Sequence, residues 1–347
     1  MRIARHVRRL EGYVPGEQPK SKKVVKLNTN ENPYPPSPAC AAVLRGFDLD
    51  RLRRYPDPDF TALRDALAKL NGTRPENVFV GNGSDEVLAI AARCFVEDDE
   101  AIGSLDPSYS LYKTLAAIRN VPWAGVADPA GRAARARLAK RNVSLFLWTN
   151  PNAPTGTFRE PADIAAFART FGGVVIVDEA YADFARANCM ALATAPGNRN
   201  VLVMRTFSKS YSLAGLRVGY CVGPTDLVAA MYKVKDSYNV DAVAQAVALA
   251  AVNDQAWMRA NVAKVVRERT RLARELVARG WTVPPSESNF LFATPPGDAA
   301  ALFDALRARD IFVRYFPGPK TGTRLRITIG TPAQTKRLLA ALDEITT

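Results

Sequence analysis

Lys209 lies between two serines in TFSKSYSLAGLRVGY (206–220), just after an apolar, strand-like run, with Arg217 eight positions further on. A lysine amine shielded from water condenses with a carbonyl carbon, while hydroxyls and a guanidinium hold phosphate oxygens. The setting resembles a Schiff-base lysine beside a phosphate site, although an isolated lysine is more often a plain surface group. Asp178 closes the apolar run of VVIVDEAY (174–181). A carboxylate drawn into such a run needs a cation or hydrogen-bond donors. A protonated pyridine nitrogen is one partner of that kind, and a structural ion pair is the other. GNGSDE (81–86) leads from a strand into a helix through glycines. Its backbone N–H groups and the Ser84 hydroxyl could hold a phosphate at the positive helix end, or the segment could be only a capped turn. It is neither a Rossmann fingerprint nor a Walker loop. WTNPNAPTG (148–156) places Asn152 after a strand, either within reach of a ligand oxygen or simply in a Pro/Asn loop.

Composition narrows the chemistry further. His6 is the only histidine in 347 residues, so Ser-His-Asp and Cys-His catalysis have one badly placed candidate base and polyhistidine zinc sites are impossible. Acid–base work falls to Lys, Tyr, Asp or Glu, which points toward a cofactor and to no metal. Cys40, Cys94, Cys189 and Cys221 have neither metal spacing nor a disulfide framework, and a reducing cytoplasm fits them. The longest apolar run, Val247 to Val252, is far too short for a membrane span. The net charge of +13 raises nucleic acid as a partner, but the basic groups are dispersed as solvated faces and argue against it. MRIARHVRRL at the N-terminus reads as a surface helix rather than a secretory or transit signal.

The elements that must position these residues alternate in type. NVFVGN (77–82), LFLWTN (145–150), VVIVDEAY, VLVMRTF (201–207) and RVGYCVG (217–223) read as strands, with helical patterns SDEVLAIAARCF and DIAAFART among them. Short Val/Ile-rich strands separated by helices predict a mainly parallel sheet covered on both faces, an α/β fold with ligands at the carboxyl ends of its strands. The chain is strongly helical from Asp226 to about Arg279, and then changes rhythm. NFLFA (289–293), IFVRYF (311–316) and RLRITIG (324–330) alternate with helices DAAALFDALRARD and PAQTKRLLAALDEI, predicting a small α+β domain. An extended arm from Lys20 to Pro38 precedes all of this. The expected division is a large domain over 45–250, with 1–44 and 251–347 forming the arm and the small domain.

GNGSDE, PNAPTG, VDEAY and SK-to-GLRVGY stand in the order and spacing of fold-type I aminotransferases, which the chain resembles along almost its whole length. RRLEGYVPGE, LNTNENPYPPSP, RYPDP, VRYF and LRITIGT are most similar to histidinol-phosphate aminotransferases. The resemblance implies the PLP-dependent transferase fold and pyridoxal 5'-phosphate as cofactor, carried by Lys209. Asp178 then pairs with the ring nitrogen, Tyr181 and Asn152 with the phenolic oxygen, and Tyr109 lies against the ring face. Ser84, Asp85, Thr206, Ser208 and Arg217 surround the phosphate, Asp85 through its backbone N–H. Tyr55 reaches the phosphate of a neighbouring subunit, which implies a homodimer with shared active sites. The family often has Asn-Asn in the turn, whereas here the second position is Ala153, so Asn152 stands alone.

The same resemblance assigns Arg326 to the substrate anion, with Arg314 and Tyr13 adding phosphate contacts. A strand-end ion pair is the plain alternative for Arg314. The implied partners are a phosphorylated amine and a 2-oxo acid. The implied reaction interconverts histidinol phosphate and imidazole-acetol phosphate against glutamate and 2-oxoglutarate. An aromatic amino-acid aminotransferase and a phosphothreonine decarboxylase remain rivals on the same scaffold. A regulatory module that binds the cofactor without turnover is a rival of another class.

Overall fold

The structure, a computed structural model, describes residues 2–13, 15–19 and 23–346. The first three residues of the predicted arm, Lys20–Lys22, and Val14 of RRLEGYVPGE lie outside the described residues. The strands are β1 (Val25–Lys26), β2 (Val78–Gly81), β3 (Ala101–Leu105), β4 (Trp123–Val126), β5 (Val143–Thr149) and β6 (Val174–Asp178). They continue as β7 (Val201–Thr206), β8 (Gly219–Val222), β9 (Phe290–Ala293), β10 (Ile311–Phe312), β11 (Arg314–Tyr315) and β12 (Leu325–Thr328).

Seven of these form one sheet in the order β2-β8-β7-β6-β5-β3-β4. The pairs from β4 through β7 are parallel, and only β8 against β7 and β2 runs antiparallel. Core residues lie on both faces of this sheet, which explains why β5, β6 and β7 are continuous apolar runs rather than alternating ones. The α/β expectation holds. β3 and β4 have no counterpart in the sequence pattern because each carries a glycine in its interior, where β2 and β8 carry theirs at an end. At Gly103 a Cβ would come within 2.8 Å of Phe146 and Val143 side chains, so close packing on β5 requires the glycine.

Parallel register sets Thr149 of β5 beside Asp178 of β6, while Thr206 ends β7. Three strand ends therefore deliver Asn152, Asp178 and Lys209 to the same edge of the sheet. Helix Ser84–Cys94 starts at that edge, with Gly83 at φ +82° in the cap position. Ser84 is thus the first helical residue rather than the cap. Helices Thr225–Val234, Ala242–Asn253 and the long Gln255–Ala278 follow, the last two capped by Asp241 and Asp254.

β9, β12 and β11 form a three-stranded antiparallel sheet. IFVRYF, expected as one strand, breaks at buried Val313. β10 pairs in parallel with β1 of the arm, whereas β11 turns to pair with β12. The arm is extended through β1, and helix Pro38–Arg45 begins where the arm was expected to end, with the Ser37 hydroxyl accepting from Ala39 N–H. The expected N-terminal surface helix is one short turn, Arg5–Arg8. Among the described residues no helix is long and apolar enough to cross a membrane.

Candidate active site

Asp178 is 4% exposed. One carboxylate oxygen accepts from the Tyr112 hydroxyl at 2.6 Å and the other from Ala180 N–H at 3.1 Å. Among the described residues no cation pairs with it. Burial pushes its pKa from the usual 3.8 up to about 6, against the pull of those two bonds. A buried carboxylate in this condition fits a protonated ring nitrogen as its missing partner.

Lys209 is half-buried nearby. Its Nζ donates to the Thr29 carbonyl at 3.2 Å and lies 5.9 Å from the centre of the Tyr181 ring. Burial, and then the positive charge of Arg326, lower its pKa to about 8. Roughly a tenth of the amine is therefore neutral, and nucleophilic, at pH 7. Tyr181 is buried, with its ring edge-on to Phe290 at 5.2 Å and its hydroxyl oxygen accepting from Asn30 Nδ2 at 2.9 Å.

A second cluster suits a phosphate. The first N–H groups of helix Ser84–Cys94 have no acceptor within the helix. A Cβ on Gly219 would stand 2.5 Å from Ser84 N, and one on Gly83 would stand 2.5 Å from Arg217. Both glycines allow backbone and guanidinium to crowd together. The Thr206 hydroxyl donates to Ser208 Oγ at 3.0 Å. Arg217, itself in the left-handed region at φ +59°, reaches Ser208 Oγ at 3.5 Å and Asp85 at 3.4 Å. Hydroxyls, a guanidinium and a helix N-terminus thus face one another. Tyr109 donates to Asp85 at 3.3 Å and stands edge-on to Tyr112 at 5.7 Å and to Tyr13 at 5.9 Å.

The third cluster is cationic. Arg314 and Arg326 are register partners on β11 and β12. Arg326 donates to the Asn28 carbonyl at 2.9 Å, and its guanidinium lies over Phe290 and Phe316 at 5.4 and 5.1 Å. Its Nε is buried without a hydrogen-bond partner. Burial, followed among the lowering causes by the charge of Arg314, depresses its pKa. A buried donor left open beside a second arginine fits an anion. Arg314 donates to the Pro15 carbonyl at 3.3 Å.

Two expected residues stand differently. Both amide hydrogens of Asn152 are engaged, by the Pro107 carbonyl at 3.0 Å and Thr155 Oγ1 at 2.9 Å, while its oxygen accepts from Ser108 at 2.8 Å. A ligand oxygen would have to displace one of these. Tyr55 is 79% exposed and stacks on Tyr238 at 4.3 Å, apart from the groups around Lys209 within this chain.

Two residues escaped the sequence reading. Tyr112, three positions after Tyr109 on helix Leu111–Arg119, donates to Asp178 and has Thr149 Oγ1 at 2.5 Å. Asn30 supports Tyr181. The available signal for Asn30 was an asparagine-rich segment, since asparagine tolerates the left-handed backbone it adopts at φ +56°.

This fold and this grouping are those of the class I and II aminotransferases, to which the chain belongs: the profile of Aminotransferase class I and II matches residues 22–342. The chain is similar to histidinol-phosphate aminotransferase 1 of a Nostoc species, 43% identical over 98% of this chain and 97% of the relative. It is also similar to the histidinol-phosphate aminotransferase of Acetobacter pasteurianus, at 44% over 98% of this chain and 96% of the relative. Among solved structures, histidinol-phosphate aminotransferase from Sinorhizobium meliloti in complex with pyridoxal-5'-phosphate superposes with a TM-score of 0.87 at 27% identity. That match covers 93% of this chain and 91% of the solved one.

Proposed function

We infer that this chain is a pyridoxal-5'-phosphate-dependent aminotransferase that interconverts histidinol phosphate and imidazole-acetol phosphate, with glutamate and 2-oxoglutarate as the second pair. The observation that carries this reading is the buried, cation-free Asp178 beside the lowered-pKa amine of Lys209. Its class and its named relatives agree with it.

When bound, the cofactor would supply an electron sink for the pair left behind when the amino-bearing carbon of the substrate gives up its proton. Lys209 would link to the cofactor and, once displaced by substrate, carry that proton away from the carbon and return it on the other side of the reaction. Asp178 would hold the ring nitrogen protonated, and Tyr112 would hold Asp178. Tyr181 and Asn152 would donate to the phenolic oxygen, and Tyr109 would lie on the ring face. Ser84, the Asp85 backbone, Thr206, Ser208 and Arg217 would receive the cofactor phosphate. Arg326 would take the substrate phosphate in one half-reaction and the glutamate carboxylate in the other, with Arg314 and Tyr13 beside it.

The exposed Tyr55 fits a role in a neighbouring subunit, and a homodimer with shared sites is part of this proposal. So are the division into a large domain over 45–250 and an arm-plus-small domain over 1–44 and 251–347, and residence in the cytoplasm, which the four unlinked cysteines suit.

The test is the visible spectrum of the protein loaded with pyridoxal phosphate. Histidinol phosphate converts the band to the amine form of the cofactor, and 2-oxoglutarate restores it. Conversion by phenylalanine or tyrosine alone would move the enzyme to the aromatic class, and release of carbon dioxide from phosphothreonine to the decarboxylases. A band with no amino transfer would indicate a regulatory module.

A further inference from the structure

Tyr181 is useful to a ligand oxygen only if its hydroxyl proton points toward that oxygen, and the hydrogen bonds behind it determine that direction. Asn30 is buried on the arm. Its backbone N–H donates to Thr328 Oγ1 at 3.0 Å, and the Thr328 hydroxyl donates to Asn30 Oδ1 at 3.0 Å. A threonine hydroxyl has a single proton. Because that proton goes to the amide oxygen, the oxygen must face Thr328 and the amide nitrogen must face Tyr181. The Asn30 carbonyl is fixed in turn by Asn289 Nδ2 at 2.9 Å. Asn30 Nδ2 therefore donates to the Tyr181 oxygen at 2.9 Å, and the phenol cannot return its own proton to Asn30. Among the described residues no acceptor takes that proton.

We propose that Asn30 is a positioning residue, one that makes Tyr181 a hydrogen-bond donor into the active site by occupying its oxygen from behind. The inference rests on the pyridoxal phosphate reading, in which the acceptor is the phenolic oxygen of the cofactor. Burial holds the Tyr181 pKa above its ordinary value, so the hydroxyl keeps the proton it has to offer. The charged and titratable groups facing it are Lys209 over its ring, Arg326 from β12, Asp178 from β6, Tyr109 and Tyr13.

Asn30→Asp is nearly isosteric, tolerates the left-handed backbone, and replaces the donor with an acceptor that draws the phenol proton backward. Asn30→Gly keeps the backbone conformation and removes the amide without adding charge. Each variant, Tyr181→Phe and the Asn30→Asp/Tyr181→Phe double variant are loaded with pyridoxal phosphate. The pH midpoint of the visible band is then measured, alongside kcat and KM and a thermal melt. A phenolic oxygen that loses its donor becomes more negative and holds a neighbouring proton more tightly. Asn30→Asp is therefore expected to raise the midpoint by about one unit, a tenfold change in proton affinity, in the same direction as Tyr181→Phe, and Asn30→Gly, which offers the phenol no rival acceptor, by less. The double variant should match Tyr181→Phe alone, because Asn30 acts through Tyr181. A wild-type midpoint in both Asn30 variants when Tyr181→Phe has moved overturns the proposal. So does an Asn30→Asp shift that persists undiminished in the Tyr181→Phe background. The absence of any visible band in folded wild-type protein overturns the cofactor reading itself, a different result from either.

Discussion

Asp178 and Glu179 are consecutive buried carboxylates at the end of the same strand, and they have been given opposite company. Glu179 accepts from Arg205 through Nε at 2.9 Å and Nη2 at 2.8 Å, and also from Cys189 N–H. Arg205 in turn reaches Asp183 at 2.8 Å. Burial raises the pKa of both acids, but for Glu179 the adjacent guanidinium is the leading opposing influence. Asp178 has only a phenol and a backbone N–H. Alternation along a strand sends the two side chains to different sides of the sheet. One side is a closed structural network, and the other has an acid whose charge waits for a ligand. Two acids ending one apolar run therefore serve two purposes, and the partner residue tells them apart.

Replacing the first acid should harm activity and spare the fold. Asp178→Asn is expected to lower amino transfer on the order of a thousandfold, the scale of losing a charge arranged against one that develops in the reaction. The cofactor-free protein should be no less stable in urea at pH 7, because an amide is easier to bury than an unpaired charge. A stability loss as large as that of the second variant would erase the contrast. That variant, Glu179→Gln, should do the reverse. It leaves Arg205 buried with half its pairing removed and is expected to cost about 3 kcal/mol in denaturant melts, while the folded fraction keeps a rate within severalfold of wild type.

The most gradual effect is a dependence on pH. Asp178 titrates near 6 when folded and near 3.8 when unfolded. Between those values the folded state binds more protons, so stability of the cofactor-free protein falls as pH rises through the window. The gap between 3.8 and about 6 corresponds to a contribution on the order of 3 kcal/mol, fully present below the unfolded pKa. Subtracting the pH–stability curve of Asp178→Asn from that of wild type should isolate this slope, and a flat difference would show that the acid is not held in the state its burial implies.

Much of the architecture could be read from the chain because burial on both faces writes β5, β6 and β7 as unbroken apolar runs. Asp178 and Lys209 stood out as polar residues just beyond such runs. Residues whose importance lies in a distant partner did not. Tyr112 matters only because helix Leu111–Arg119 packs where it can meet Asp178. The two arginine strands were visible, yet the break of the first at Val313 follows from β10 pairing with an arm almost three hundred residues earlier. The strand order and the short glycine-bearing strands β3 and β4 likewise depend on tertiary packing rather than local pattern. The saturated amide of Asn152 could not be foreseen either, since two of its three partners lie in the loop at Pro107 and Ser108.

The arm also bears on how the molecule comes into being. Its Asn28 and Thr29 carbonyls hold Arg326 and Lys209, and Asn28 and Arg326 are separated by 298 positions. A ribosome adding roughly 5–20 residues each second leaves the arm waiting on the order of tens of seconds for its docking partners. During that interval the nascent chain carries Lys209 without the second half of its surroundings. Completion of the active site is thus one of the last acts of synthesis, and a chain released before β12 would contain its lysine but lack Arg326 and Thr328, two of the groups that hold the arm.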